Sequence, residues 1–404
     1  MRILFLSESY PGREGIIAAA FAADPRNEVL FASSYSRLGF TLPGVKRVLL
    51  RVARASQTQD EGKGTFEQEW ARALKVGKYT LASLQSLRET GFVPDIIINA
   101  SARGHGFFLS QVFPEAFVVL YPDNYFFLPG ADTVYSPKGK LCQSLQGSSL
   151  MHSHAVFVFY AWQKLFFPES VRDSIQVAPM FVDTDFFAPE AAKPLPAELG
   201  GQDGECISFS VNSAEAARAK SIWAFVMLLL HRRPRTRVLL LSANDDVRQT
   251  LQGVAGRLGG AETERLFILP RLSLATYRDM LCASSAHINL GVAAVLERAR
   301  LEIMSCGALL MAPSMPALEH IQKSGENMLV CRPGNAETQY QNLAALLDDR
   351  PRLAGIRKAA RETALAFRYQ DVLPRHLEQI YTAYEHWKQQ PKVTMEAFDD
   401  PQGE

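Results

Sequence analysis

The chain lacks most of the features that would settle a function at once. Net charge is only +1 over 404 residues, so no broad polyanion-binding surface is advertised and nucleic acid is not an expected partner. Cysteine is sparse: Cys142, Cys206, Cys282, Cys306 and Cys331 stand singly. With no C-x-x-C pair and an odd count, they read as reduced thiols of the cytosol, not as a disulfide frame or a zinc site. No apolar run approaches the ~18 residues of a membrane span. The longest strongly apolar stretch, Ala224 to Leu230, stops at His231. Met1-Arg2 leads straight into Ile3-Leu4-Phe5-Leu6, too short for a signal segment whose apolar core needs about 7 to 15 residues. The G-x-G-x-x-G dinucleotide fingerprint is missing too. The expectation is a soluble cytoplasmic protein, with peripheral membrane contact left open.

What is present is ordinary globular composition, 47% hydrophobic and 21% charged, in a chain long enough for two domains of about 150 to 200 residues each. Short continuous apolar runs alternate with helical patterns, the signature of parallel sheets. Residues 2 to 6, Glu28 to Ala32, Pro94 to Asn99, Phe117 to Tyr121, Ala155 to Phe159 and Ile175 to Ala178 read as strands of a first domain, 1–188. Pro189 to Asp203 is rich in Pro, Ala and Gly and reads as a linker, assigned to 189–204. Strands at Cys206 to Val211, Arg237 to Leu241, Leu266 to Leu269, Ala286 to Leu290, Ala308 to Ala312 and Asn327 to Arg332 define a second domain, 205–370. A last helix, Leu373 to Gln389, follows in the segment 371–389, and the polar tail 390–404 reads as disordered. The fold class is α/β, two doubly wound Rossmann-like domains.

The densest stretch runs from Ala286 to Asn335. An apolar strand meets a loop, then a helix carrying Glu302, then the strand ending at Pro313, a turn and a short helix holding Glu319, a turn at Gly325, and a last strand. A helix N-terminus offers unpaired N–H groups to phosphate oxygens, and a carboxylate a turn further in can accept hydrogen bonds from ribose hydroxyls. Leu301-Glu302-Ile303-Met304-Ser305-Cys306-Gly307-Ala308 resembles the LEAMACG signature of retaining glycosyltransferases of the GT-B fold, family four. Pro313 to Pro333 is similar to that family's following segment, including Gly325-Glu326-Asn327 and Leu329-Val330. Trp162-Gln163-Lys164 with Phe167-Pro168 resembles its W-Q-K/R-x-x-F-P element, and Asp183-Thr184-Asp185-Phe186-Phe187 the turn that leads into its linker. The D-x-D within that turn reads as structural and not as a metal motif.

The resemblance implies two domains facing across a cleft, the second binding a nucleotide-sugar, the first an acceptor, and the last helix crossing back onto the first domain. It implies retaining transfer without a metal or other cofactor, the nucleotide-sugar being a co-substrate. Without a metal, charge on the departing diphosphate must be met by cations and backbone donors. The donor-binding candidates are accordingly Arg218, Lys220, Arg271, backbone donors at Val295 and Leu296, and Glu302 for ribose. Polar loops at the carboxyl ends of parallel strands make His105 and Asp123 the catalytic candidates, and Gly12, Gly15 and Arg103 those of an acceptor or diphosphate loop. The chain departs from the family pattern at Ala100, Asn212 and Ala294, where a His, an Arg and the first Glu of a Glu–seven residues–Glu pair are expected. Those departures keep a second reading open, a catalytically degenerate scaffold that binds a partner or ligand; an epimerase or phosphorylase of the same fold is a third. The acceptor, whether a saccharide, a lipid-linked glycan of the cell envelope or a protein, is not readable.

Overall fold

A computed structural model describes residues 1–12, 14–36, 41–51, 66–100, 104–122, 137–196, 199, 205–211, 219–242, 245–256, 261–289, 298–313, 318, 320–331 and 335–391. The chain divides into two compact units, Met1–Pro179 with Leu373–Glu404, and Met180–Val372.

In the first unit, strands β1 (Arg2–Tyr10), β2 (Glu28–Ser36), β3 (Val45–Leu49), β4 (Ile96–Asn99), β5 (Phe117–Leu120), β6 (Ala155–Val158) and β7 (Ile175–Val177) form one parallel sheet. Its order is β3-β2-β1-β4-β5-β6-β7. The centre is dry. Leu4 pairs with Leu30 on one side and Ile97 on the other, and Ile3 to Leu6 are buried throughout, as a central parallel strand covered on both faces requires. Helices α1 (Gly15–Ala22), α2 (Phe66–Glu89), α3 (Leu109–Val112), α4 (Pro137–Met151) and α5 (Glu169–Arg172) connect the strands. The apolar helix expected to run to Phe113 is one turn only, α3. The edge strand β3, in which no residue is fully buried, escaped the sequence because edge strands carry weak hydrophobic signals.

The second unit repeats the plan. Strands β8 (Glu205–Val211), β9 (Thr236–Ser242), β10 (Leu266–Leu269), β11 (Ala286–Ile288), β12 (Leu309–Pro313) and β13 (Leu329–Cys331) lie parallel in the order β10-β9-β8-β11-β12-β13. Helices α6 (Ala219–Arg232), α7 (Asp245–Ala255), α8 (Leu274–Ala283), α9 (Arg298–Ser305), α10 (Ala336–Asp348) and α11 (Arg350–Leu365) complete it. One core joins Ile207, Phe209, Phe225, Leu240, Ile288 and Met311. Both units therefore reverse direction beside their first strand, between β1 and β4 and between β8 and β11. That switch point is where open α/β sheets bind ligands, at the carboxyl ends of the strands.

The border between the units falls at Pro179 and Met180, earlier than residue 188. Hydrogen bonds explain it. The Val182 N–H donates to the Phe367 carbonyl at 2.9 Å and Tyr369 N–H to the Val182 carbonyl at 3.0 Å, while the Ser305 hydroxyl donates to the Phe187 carbonyl at 2.6 Å. Lys193 N–H adds a bond to Asp279 at 3.1 Å, so this part of the supposed linker is tied to the second unit. The last helix, α12 (Tyr369–Gln389), belongs to the first unit from Leu373 onward. His376 bonds the Tyr121 hydroxyl, Tyr381 packs edge-on against Phe21 at 5.4 Å, and Trp387 lies 5.5 Å from the Phe117 ring. The tail assigned as disordered lies outside the described residues from 392 onward.

Candidate active site

At the switch point of the first unit the strand ends are polar although the strands are not. Ser7, Glu14, Ser33, Ser34, Asn99 and His105 are all buried there. The Ser7 hydroxyl donates to Glu14 Oε2 at 3.4 Å, and His105 Nε2 lies 2.7 Å from the Ser34 hydroxyl. Four glycines let the backbone close on this cluster. Gly12 has φ +56, and a Cβ there would meet Glu14 and the Ser9 carbonyl at 2.9 Å. Gly104 has φ +89, and a Cβ on it would collide with the Ala73 backbone of α2. A Cβ on Gly106 would run into the Asn99 amide. Gly15 opens α1 and faces Pro11 so closely that a Cβ would come within 2.6 Å. Gly12 and Gly15 are therefore required by crowding at the β1–α1 turn, and His105 is a buried, hydrogen-bonded ring and not a surface residue. Arg103 and Asp123 lie outside the described residues.

In the second unit β11 leads to α9. Leu301, Ile303, Met304 and Ser305 are fully buried, which is why the motif is apolar around its carboxylate. Gly307, with φ +67, ends the helix, the usual place for a left-handed glycine. Glu302 is 7% exposed. Burial pushes its carboxyl pKa up, and the Arg298 guanidinium opposes that rise, with Arg298 Nε donating to Oε1 at 3.1 Å. The pair sits one turn apart on α9. Arg271 follows β10, is exposed, and makes no hydrogen bond among the described residues. Arg218, Val295 and Leu296 lie outside the described residues, as does the side chain of Lys220, whose backbone falls in the first turn of α6.

Other motif residues prove to be structural. Gln163 Oε1 accepts from the Phe159 and Tyr160 N–H groups, both at 2.8 Å, which closes the W-Q-K turn. Asp183 Oδ1 accepts from Phe186 N–H at 2.9 Å and Asp185 N–H at 3.2 Å, so the D-x-D is a side-chain-capped turn. Asn327 is held by Lys323 N–H, the Ile321 carbonyl and Thr363, and Gly325 has φ +78. Glu14, Ser34, Arg298 and the fully buried Arg300 escaped the sequence reading. Arg300 donates to the Pro313 carbonyl at 3.3 Å and Gln322 at 3.2 Å. The one available signal was Arg298 four residues before Glu302, an ion-pair spacing on a helix.

Residues 25–187 match the model of the glycosyl transferase family 4 group. No curated protein matches the chain in sequence. Solved structures do match over nearly the whole chain. HepE of Anabaena in complex with UDP-glucose is 14% identical with a TM-score of 0.70, covering 95% of this chain and 100% of that one. Sucrose-phosphate synthase of Thermosynechococcus elongatus is 15% identical at 0.72, covering 96% and 100%. The fold is GT-B. A UDP-forming α,α-trehalose-phosphate synthase of Burkholderia xenovorans shares it at 12% identity and a TM-score of 0.68, covering 96% and 100%. Two parallel Rossmann-order sheets are what this GT-B chain has in common with all three.

Proposed function

We propose that the chain is a glycosyltransferase of the hexosyltransferase type, moving a sugar from a nucleotide-sugar to an acceptor. The carrying observation is Glu302, a nearly buried carboxylate held on the helix that follows β11, in a unit whose strand order puts ligands at that edge. An ionised carboxylate there accepts both hydroxyls of a ribose diol. The family match over the first unit, and neighbours of the same fold that bind UDP-glucose or form UDP, support a UDP-sugar donor. Arg218, Lys220, Arg271 and the backbone at Val295 and Leu296 complete the donor site. His105, Asp123, Arg103 and the Gly12–Gly15 turn serve the acceptor on the first unit. Transfer is retaining, needs no metal or other cofactor, and takes place in the cytoplasm, with a saccharide, a lipid-linked glycan or a protein as acceptor.

Thermal shift with UDP, GDP and ADP tests the donor site, followed by donor hydrolysis. The expected result is stabilisation by one nucleotide, lost in Glu302→Ala, together with turnover of the matching sugar nucleotide. Glu302→Ala binding as tightly as wild type ends the ribose assignment. Binding without turnover favours the degenerate binding scaffold.

A further inference from the structure

Arginines around α9 are used in two different ways. Arg300, Arg357 and Arg361 donate to backbone carbonyls, those of Pro313, Gly307 and Ser305, and so hold the protein together. Arg298 does not. Its guanidinium meets Glu302 through Nε alone, and Nη1 and Nη2 make no hydrogen bond among the described residues. Its side chain is 33% exposed, against 10% for its partner. It is also the first residue of α9, with no acid in the first turn, so its charge opposes the helix macrodipole and adds to the positive end. A guanidinium is a planar fork suited to two parallel bonds with one anion. Here one edge is spent on the carboxylate, and the other has no partner among the described residues.

We propose that Arg298 binds the phosphate next to the ribose that Glu302 binds, so that the two side chains read one nucleoside diphosphate from one face of α9. This rests on the donor-site reading above. The spacing suits the ligand. Side chains four apart on a helix stand about 5–6 Å from each other at Cβ, a span comparable to that from a ribose diol to its 5′-phosphate. The chemistry suits it as well, since the carboxylate takes donors and the guanidinium takes an anion. The ion pair offsets part of the cost of burying the Glu302 carboxylate and leaves the other edge of the fork to the phosphate.

Calorimetric titration of wild type, Arg298→Ala and Arg298→Lys with UDP and with uridine tests it. Loss of charge-assisted bonds to phosphate is worth about tenfold or more in affinity. Arg298→Ala should therefore lower UDP affinity by about that factor and leave uridine within about twofold, with Arg298→Lys recovering part of the loss. The UDP-to-uridine ratio is measured within one preparation, so a partly folded variant does not distort it. An unchanged ratio in both variants overturns the proposal, because a residue that only steadies Glu302 weakens the two ligands equally. Failure of wild type to bind UDP, GDP or ADP is a different result, and it removes the donor-site reading itself.

Discussion

The two units share one strand order and bury their polar groups in different places. In the first, the polar side chains sit toward the carboxyl ends of β1, β2 and β4, Ser34 among them in β2, with Glu14 and His105 on the turns that follow β1 and β4. In the second, the buried polar network lies within the sheet. His287 of β11 is fully buried between the Ser208 hydroxyl at 2.7 Å and the Ser210 hydroxyl at 3.0 Å, and Ser208 also meets Ser284 at 2.7 Å. A group at a strand end can exchange a protein partner for a ligand. A group inside the sheet cannot. The same topology therefore gathers the described buried polar groups of the first unit at its strand ends, whereas in the second the His287 network lies inside the sheet and only Ser242 and Asn289 stand buried at the ends of β9 and β11. Fold alone would not have separated these roles.

The largest effect expected from this division concerns His105. Removing a group that acts in the proton transfers of a reaction costs about 10²-fold or more. His105→Ala should lower transfer turnover by that order while nucleotide affinity, a property of the other unit, stays within about twofold. Initial rates at saturating donor, set beside calorimetry with UDP, measure both. A parallel fall in nucleotide affinity breaks the division of labour between the units.

Much of this was legible in the chain. Central strands were visible because a parallel strand covered on both faces is a continuous apolar run, as at Ile3 to Leu6 and Ile96 to Ile98. The edge strand β3 was not, because none of its five residues is fully buried and three are exposed. The Glu302 motif was legible through its resemblance to the LEAMACG signature, and the burial of Leu301, Ile303 and Met304 explains its apolar flanks. The W-Q-K turn and the Asp183 turn were recognised as patterns, but their cause, side chains capping backbone N–H groups, is set by tertiary geometry. The Ser34–His105 pair was illegible for a plainer reason. Its members stand 71 residues apart, and only the pairing of β1 with both β2 and β4 brings them together.

A second contrast appears on acidification. Burial lowers the His287 pKa to about 3 and the His376 pKa to about 4. In each case the native ring resists the proton that the unfolded ring, with a pKa near 6.5, accepts. Stability contributed by the neutral ring is thus whole above about pH 6.5 and drains as pH falls toward the native value. At pH 5 the deficit is about 2 kcal/mol per ring. His376 stops contributing to the slope near its native value of about 4, whereas His287 continues toward about 3. Urea unfolding between pH 7 and 4, compared with His287→Asn, should show a flatter slope in the variant. An unchanged slope would mean that the ring is not buried neutral.

The smallest effect is also the most local. The four described thiols, Cys206, Cys282, Cys306 and Cys331, all lie in the second unit. Burial pushes Cys206 up to about 11 and Cys331 up to about 12. Cys306 is raised most, by its hydrogen bond with Cys282 and by burial. Cys282 alone is lowered, because Cys306 donates to it, with Arg278 and Arg361 adding attraction, and it is only half-buried. The thiolate is the species that alkylates. Under native conditions iodoacetamide should therefore label Cys282 before the other three by several-fold, as peptide mass spectrometry reads. Labelling of Cys206 and Cys331 then waits on opening of the second unit, so their rates follow its local stability and not that of the first. Serine at Cys306 removes the thiol donor but keeps a hydroxyl in its place, which should leave Cys282 first while changing its rate little. Equal labelling of all four in the native protein would show that this unit opens more readily than its packed core allows.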